Sequence, residues 1–345
     1  MIPIQNIYYM LSYAFQVLNE QGYKNIATEQ FNNTGELMAA ILEKGIAIQL
    51  KRGLGKEYIP QTEALSSLRG KIDIAESIKT QSMLRKQLIC TYDEFSVNSI
   101  MNRIIKSTVE LLLRSNISKQ RKKNLRKLMV YFSEVDFIDL YTVNWNVQYN
   151  RNNQTYRMLI SICYLVVKGL LQTQSNGHTK LMDFLDEQRM CRLYEKFILE
   201  YYRREFKNQI TANASQIPWQ LDNEENSMLP VMQSDIMLQS GEKVLIIDAK
   251  YYEHSTQVQF DKHTLHSGNL YQIFTYVKNK EYELREKDHT VSGMLLYAKT
   301  DEEIYPNNVY QMSGNQITVR TLDLNLPFDE IAGQLNTIAK THFDL

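Results

Sequence analysis

Lysine and arginine together number 39 in this chain of 345 residues, and so do aspartate and glutamate, giving a formal net charge of zero. No global field steers a polyanion to such a chain, so any nucleic-acid contact has to come from local patches. The length suggests two domains, the apolar content suits a packed core, and no apolar run approaches membrane-spanning length. Cys90, Cys163 and Cys191 sit inside apolar runs, lack metal or disulfide spacing, and read as buried thiols in a reducing cytoplasm.

Asn6 reads as the cap of a first helix over IYYMLSYAFQVLNEQ, where Ile7, Met10, Leu11, Ala14, Phe15 and Leu18 form one apolar stripe. A second amphipathic helix is expected from Gly35 to Leu50. From Arg52 to Ser77 the pattern turns to β character, punctuated by Pro60 and Gly70 and alternating in KIDIA. LICTYDEFS is a further strand, and VNSIMNRIIKSTVELLLRS is a helix with Ile100, Ile104, Ile105, Thr108 and Leu111 to Leu113 inward. The basic stretch KQRKKNLRKL (Lys119 to Leu128) reads as the solvated face of an amphipathic helix, with phosphate contact as the alternative. The Asn-rich VNWNVQYNRNNQTYR (Val143 to Arg157) reads as a protruding hairpin tip or exposed loop. Its lone Arg151 suits insertion into a partner's nucleotide site, as arginine fingers are inserted, or else is a solvated loop residue. MLISICYLVVKGLLQ is a buried helix. QTQSNGHT (Gln172 to Thr179) is the most linker-like stretch, and the domain boundary is placed there.

The long helix LMDFLDEQRMCRLYEKFILEYYRREF follows, carrying Glu195 near Leu193, Phe197 and Ile198. After a strand and loop in QITANASQIPWQ, the segment VMQSDIMLQSGEKVLIIDAKYY (Val231 to Tyr252) reads as a β-hairpin around a glycine turn. With Gly241 and Glu242 as the two turn residues, Asp235 falls directly opposite Asp248, and alternation puts Lys250 on the same face. Ile236, Leu238, Leu245 and Ile247 take the other face. A three-residue turn would shift the register by one and send Asp235 across. Directly opposed carboxylates repel. A hard divalent cation such as Mg²⁺, which takes one or two carboxylates plus water and phosphate oxygens, removes that conflict. A lysine beside it can orient or deprotonate an attacking water, or neutralise a developing phosphate charge. Ser267 is expected to cap the next helix, on which Gln272 and Tyr276, four residues apart, share a face. GMLLYAK is a buried strand, and YQMSGNQITVRTLDL is a second hairpin turning at Ser313-Gly314-Asn315.

This order of helix, Asp strand, Asp-x-Lys strand, helix and strand is similar to the PD-(D/E)XK nuclease superfamily, with Asp235, Asp248 and Lys250 in the motif positions. Glu195 resembles the extra carboxylate that many members carry on the preceding helix. Gln272 and Tyr276 resemble the Gln-x-x-x-Tyr of the RecB-like branch. The proline of the written motif is absent, since Gln233-Ser234 precede Asp235. Further stretches, among them IPIQNIYYMLSYAF (Ile2 to Phe15), LRGKIDI (Leu68 to Ile74), NRIIKST (Asn102 to Thr108), ISICYLV (Ile160 to Val166) and NLYQIFTYV (Asn269 to Val277), span nearly the full length in order. In them the chain resembles the McrC family, the nuclease subunits of modification-dependent restriction systems.

The resemblance implies a Mg²⁺-dependent DNA endonuclease. Asp235 and Asp248 would hold the metal with help from the Ala249 carbonyl, Lys250 would aid the nucleophilic water, and Glu195 would be an outer ligand through water. Gln272 and Tyr276 would pin the site or the DNA backbone. It also implies a partner, an McrB-like hexameric AAA+ GTPase that binds GTP and reads methylated cytosine through a domain of its own. The chain has no G-x-x-x-x-G-K-[ST] phosphate loop, which fits a motor residing in another subunit. The expected architecture is an α+β partner-binding region (residues 1–175) followed by an α/β PD-(D/E)XK-type nuclease domain (residues 176–345). Two rivals are a non-catalytic adaptor of nuclease-like fold and an RNA-directed or toxin-type nuclease acting alone. The intact Asp, Asp, Lys set argues against the first, and the long N-terminal region argues against the second.

Overall fold

The computed structural model describes residues 2–19, 23, 26, 29, 31, 33–149, 153–175, 187–223, 228–252, 257–259, 262–299 and 305–345. The chain divides into two compact units, Gln21–Met182 and a second made of Met1–Glu20 with Asp183–Leu345. The first twenty residues, assigned from sequence to the N-terminal region, therefore fold with the C-terminal unit. The reason is visible in α1 (Ile4–Ala14), which buries Ile7, Met10 and Leu11. Tyr9 stacks on Phe328 at 4.4 Å between ring centroids, and Tyr13 meets Phe197, Tyr201 and Phe328 at 5.3–5.7 Å. Such aromatic pairs add roughly 0.5–1.5 kcal/mol each beyond their burial. Asn6 is not the cap, a position Pro3 takes. It is buried inside the helix and its Nδ2 donates to the carbonyls of Leu324 and Leu326, both at 2.8 Å. One amide thus satisfies two backbone acceptors, which explains a polar residue within an apolar stripe.

The Gln21–Met182 unit combines helices with a small sheet. In α2 (Thr34–Arg52), Asn33 caps the first turn, accepting from the Glu36 N–H. The sheet has the order β1 (Glu57–Leu65), β3 (Leu88–Ser96), β2 (Lys71–Asp73), all antiparallel. The strand expected over KIDIA stops early. Asp73 accepts from the Glu76 N–H and opens α3 (Ile74–Lys79), because an N-cap carboxylate offers the backbone a helical start. Ser99 caps α4 (Ile100–Arg114), and Ser118 caps α5 (Lys119–Met129). On its inner face α5 buries Leu125 and is tied to α2 by Arg121, whose guanidinium reaches Glu43 at 2.8 Å and Glu36 at 3.8 Å. Residues 143–149 run without helix or strand towards α6 (Gln154–Ser175). Of the stretch read as a linker, Gln172–Ser175 instead closes α6, because the helix continues through it, while residues 176–179, like Arg151, lie outside the described residues.

The other unit is built on a six-stranded mixed sheet. After α7 (Glu187–Glu205) come β4 (Thr211–Asn213) and a two-stranded pair, β5 (Gln216–Ile217) with β6 (Met232–Gln233). Then follow β7 (Ile236–Ser240), β8 (Lys243–Lys250), a short hairpin of β9 (Gln257–Gln259) and β10 (Lys262–Thr264), and α8 (Ser267–Leu284). The chain closes with β11 (Thr290–Ala298), β12 (Asn308–Met312), β13 (Asn315–Leu322) and α9 (Phe328–Phe343). The sheet order is β12-β13-β11-β8-β7-β4, with β11 parallel to both β8 and β13. The β8–α8–β11 crossover buries one face: Val244, Ile246 and Leu295 form a core with Ile273 and Val277 of α8. Gly293 makes the close approach possible, since a Cβ there would sit 2.8–2.9 Å from Ile273, Ile317 and Val277. On α7, Tyr202 bonds the Leu335 carbonyl of α9 at 3.0 Å. β8 is buried through Val244–Ala249, as a central strand covered on both faces should be. His266, rather than Ser267, takes the cap position of α8, without a side-chain bond. Among the described residues no helix is long and apolar enough to cross a membrane.

Candidate active site

The hairpin takes the two-residue register. Ser240 pairs with Lys243 and Ile236 with Ile247. Gly241 adopts φ +56°, the first turn position at which glycine is favoured. Asp235 stands one residue before β7 and so comes level with Asp248. Its Oδ2 accepts from the Ala249 N–H at 3.0 Å, beyond the last β7–β8 pair. Ser234, where the written motif has proline, is buried and donates its N–H to the Ser215 carbonyl at 3.0 Å. A proline would lose that bond, so serine here fastens the Asp235 turn.

Asp248 is 1 % exposed. Its Oδ2 lies 2.9 Å from Lys250 Nζ, yet the approach is too oblique for a hydrogen bond, and this oxygen has no aligned donor. Burial pushes the Asp248 carboxyl up; Lys250 pulls it back, and the Asp235 charge pushes it up again. Burial alone would lower Lys250, but the carboxylates of Asp248 and Asp235 outweigh it and hold the ammonium charged. The two shifts differ because Asp248 is the more deeply enclosed partner, with its side chain 2 % exposed against 14 % for Lys250. Gln272 on α8 receives Lys250 Nζ at 3.4 Å on Oε1 and donates through Nε2 to the Tyr276 hydroxyl at 2.9 Å. Lysine only donates, so the amide oxygen must face it, and Tyr276 fixes that orientation from behind.

Glu195 comes from α7. Burial raises its carboxyl first, and the Asp235 charge raises it further, while Lys250 and Arg192 oppose. The structure thus brings Asp235, Asp248, Ala249, Lys250, Gln272, Tyr276 and Glu195 around one end of β8. Arg151, on undescribed residues, is not among them. Sequence reasoning missed Cys191, taken for a buried thiol. It is half-buried, one helical turn before Glu195, and its Sγ lies 3.0 Å from Glu195 Oε1 and 3.9 Å from the Ala249 carbonyl. Burial and the Glu195 bond raise this thiol to about 12, so it stays a donor. The i, i+4 spacing to Glu195 on a helix was the available signal. A second chain of bonds runs from the Tyr252 hydroxyl to Asn269 Oδ1 at 3.3 Å and from Asn269 Nδ2 to the Tyr297 hydroxyl at 3.0 Å.

Three carboxylates against one lysine leave the site short of positive charge, and all the donors are hard oxygens, the set that Mg²⁺ takes. The unaligned Asp248 oxygen and the Ala249 carbonyl are fitting ligands. Among the described residues no three His, Cys, Asp or Glu side chains converge closely enough to form a metal site unaided. An ion here depends on the carbonyl, water or substrate oxygens for its remaining ligands. A cavity of about 480 Å³ lies in the other unit, but its Arg121 is already paired with Glu29 and Glu43 in the cavity wall, and it offers no comparable chemistry.

The family model described as McrBC 5-methylcytosine restriction system component matches residues 5–298. A curated relative, the type IV methyl-directed restriction enzyme EcoKMcrBC of Escherichia coli K12, is 30 % identical over 329 residues, covering 94 % of this chain and 93 % of that one. Among solved structures, a half-complex of Thermococcus gammatolerans McrB AAA+ hexamers with bound McrC has TM-score 0.48 and 19 % identity, covering 97 % of this chain and 76 % of that one. The cryo-EM McrBC complex of the same organism has TM-score 0.42 and 23 % identity, over 59 % of each chain.

Proposed function

The chain belongs to the family of McrBC 5-methylcytosine restriction system components, and from that premise we propose that it is the McrC-type nuclease subunit, hydrolysing DNA phosphodiesters at the Asp235–Asp248–Lys250 site. The observation that carries this reading is the level placement of Asp235 and Asp248 with the Lys250 ammonium 2.9 Å from the buried carboxylate. Asp235, Asp248 and the Ala249 carbonyl would hold Mg²⁺. When bound, that ion supplies charge stabilisation at the phosphate and makes a water more acidic.

The chain's own residues supply the rest. Lys250, kept charged by its carboxylate neighbours and steadied by Gln272, aims a donor at the negative charge that grows on the phosphate oxygens. Tyr276 holds Gln272 so that the lysine does not swing away. Cys191 keeps the Glu195 carboxylate turned towards the Ala249 side of the site. The partner in this reading is an McrB-like hexameric AAA+ GTPase that binds the GTP and selects methylated DNA. The Gln21–Met182 unit would contact that ring and stimulate its hydrolysis. The unpaired thiols Cys90, Cys163 and Cys191 support a reducing, cytoplasmic setting for this restriction of foreign DNA.

The test uses the chain together with an McrB-like GTPase from the same source. Asp248→Ala is expected to abolish Mg²⁺-dependent cleavage of methylated DNA and to leave partner binding and stimulated GTP turnover intact. Wild-type cleavage by the variant would remove the assignment. Stimulated GTP turnover with no metal-dependent cleavage by the wild-type chain would leave an adaptor instead.

A further inference from the structure

Helix α5 carries a charge pattern that neither folding nor the nuclease site accounts for. Along one face run Lys119, Lys122, Lys123 and Arg126, with Lys127 at its border. Lys119, Lys123, Arg126 and Lys127 are exposed and Lys122 is half-buried. Among the described residues none of the five has a carboxylate partner. The helix contains no acidic residue, and its opposite side is occupied by Leu125 and by Arg121, which takes up Glu29, Glu36 and Glu43.

An ordinary solvated helix face mixes signs and gains from oppositely charged pairs four apart. Here every such pair on the face is alike: Lys119 with Lys123, Lys122 with Arg126, Lys123 with Lys127. The arrangement also sets Lys119 in the first turn, where the helix dipole is positive and an acidic residue would help. The face is therefore destabilising until an anion covers it. In a chain whose net charge is zero, the concentration is local.

From this geometry we infer that the α5 face binds the phosphate backbone of double-stranded DNA, giving the Gln21–Met182 unit a DNA contact of its own. The inference rests on the reading that the chain acts on DNA. A protein partner fits less well, because lysine is depleted at protein interfaces and this stripe offers no apolar centre. Single strands fit less well too, since within α5 the stripe carries no aromatic ring and the exposed Tyr131 just beyond it is a single stacking partner. Helix repeats of cations at i, i+3, i+4 and i+7 suit a row of backbone phosphates, which positions a protein without reading sequence.

The experiment measures binding of the full chain to a fluorescent 30-base-pair duplex in EDTA, across a series of salt concentrations. The variant Lys119→Gln/Lys122→Gln/Lys123→Gln/Arg126→Gln leaves Arg121 in place. The slope of log affinity against log salt is expected to fall by about 0.9 for each phosphate the variant no longer neutralises, about 3 to 4 in all. The assay runs in EDTA, where no metal-dependent cleavage occurs, so the slope reads the α5 contact whether or not the nuclease assignment holds, and a failure of that reading is told apart from a failure of this one. Because the substitutions relieve repulsion, the variant is expected to melt no lower than wild type. Should it fail to fold, Lys123→Gln alone is expected to reduce the slope by about 0.9. Wild-type affinity and slope in the folded variant would overturn the proposal. So would loss of GTPase association with DNA binding intact, which would mark the face as a protein contact.

Discussion

Lys250 is fixed from two sides, by the Asp248 carboxylate and by the Gln272 amide. Lys250→Ala is expected to lower cleavage by orders of magnitude while calorimetry still detects Mg²⁺ binding, because an ammonium donates to the reaction without being a metal ligand. Loss of metal affinity with chemistry preserved would reverse the role given to it. A second titratable residue lies far from the site. His342 on α9 is held below its usual range by burial first and by the Lys243 charge second. A base whose folded-state value is depressed contributes stability that is fully present above its unfolded value of about 6.5 and is lost as the pH falls below it. The wild-type urea midpoint is therefore expected to fall between pH 7.5 and 5.5 by more than that of His342→Gln. Equal falls in the two proteins would show that His342 is not responsible.

The β7–β8 hairpin and the β8–α8–β11 crossover together set the site, because they deliver the carboxylates and Gln272 to one end of the sheet. Their spacing depends on Gly293. A methyl group there meets Ile273, Val277 and Ile317 at 2.8–2.9 Å, and all three are buried side chains with little room to yield. Gly293→Ala is expected to destabilise by about 1–3 kcal/mol, as overpacked cores do. It should also lift α8 and so lengthen the Gln272–Lys250 contact. The prediction is checked by a denaturant midpoint together with cleavage under conditions where the variant is folded. Unchanged values in both would mean that the helix has room to accept the methyl group.

At the scale of the molecule, the second compact unit is discontinuous in sequence: it takes Met1–Glu20 from one end and Asp183–Leu345 from the other. Without α1, the rings of Phe328, Phe197 and Tyr201 lose their cover, and the Leu324 and Leu326 carbonyls lose their donor. Each of those hydrogen bonds contributes about 0.5–1.5 kcal/mol net, and the uncovered rings add the apolar area they then expose to water. A chain beginning at residue 20 is accordingly expected to lose amide-exchange protection in β8 and β11 while keeping it in α2 and α4. Protection lost equally in both units would contradict the division.

Local signals in the sequence were enough for the parts of this protein that obey short-range rules. Alternation and a glycine turn set the β7–β8 register, and with it the pairing of Asp235 with Asp248. Helical spacing put Gln272 and Tyr276 on one face, and the cationic run of α5 is plain in the letters. Three readings of a polar side chain failed: Asp73 capped a helix instead of continuing a strand, Asn6 bonded distant carbonyls instead of capping, and Ser267 gave the cap position of α8 to His266. Helix α9 was overlooked although Pro327 precedes it, Asp329 and Glu330 occupy its first turn, and Lys340 and His342 its last. Only the tertiary structure decided the rest. That α1 belongs with the far end of the chain, that Cys191 meets both Glu195 and Ala249, and that Ser234 replaces a proline by bonding Ser215 depend on contacts between residues remote in sequence or on which of several faces is buried. Periodicity reports that a face is apolar or that a side chain can donate. It holds no information on which distant surface or acceptor will be opposite, because that choice is made by packing all the elements at once.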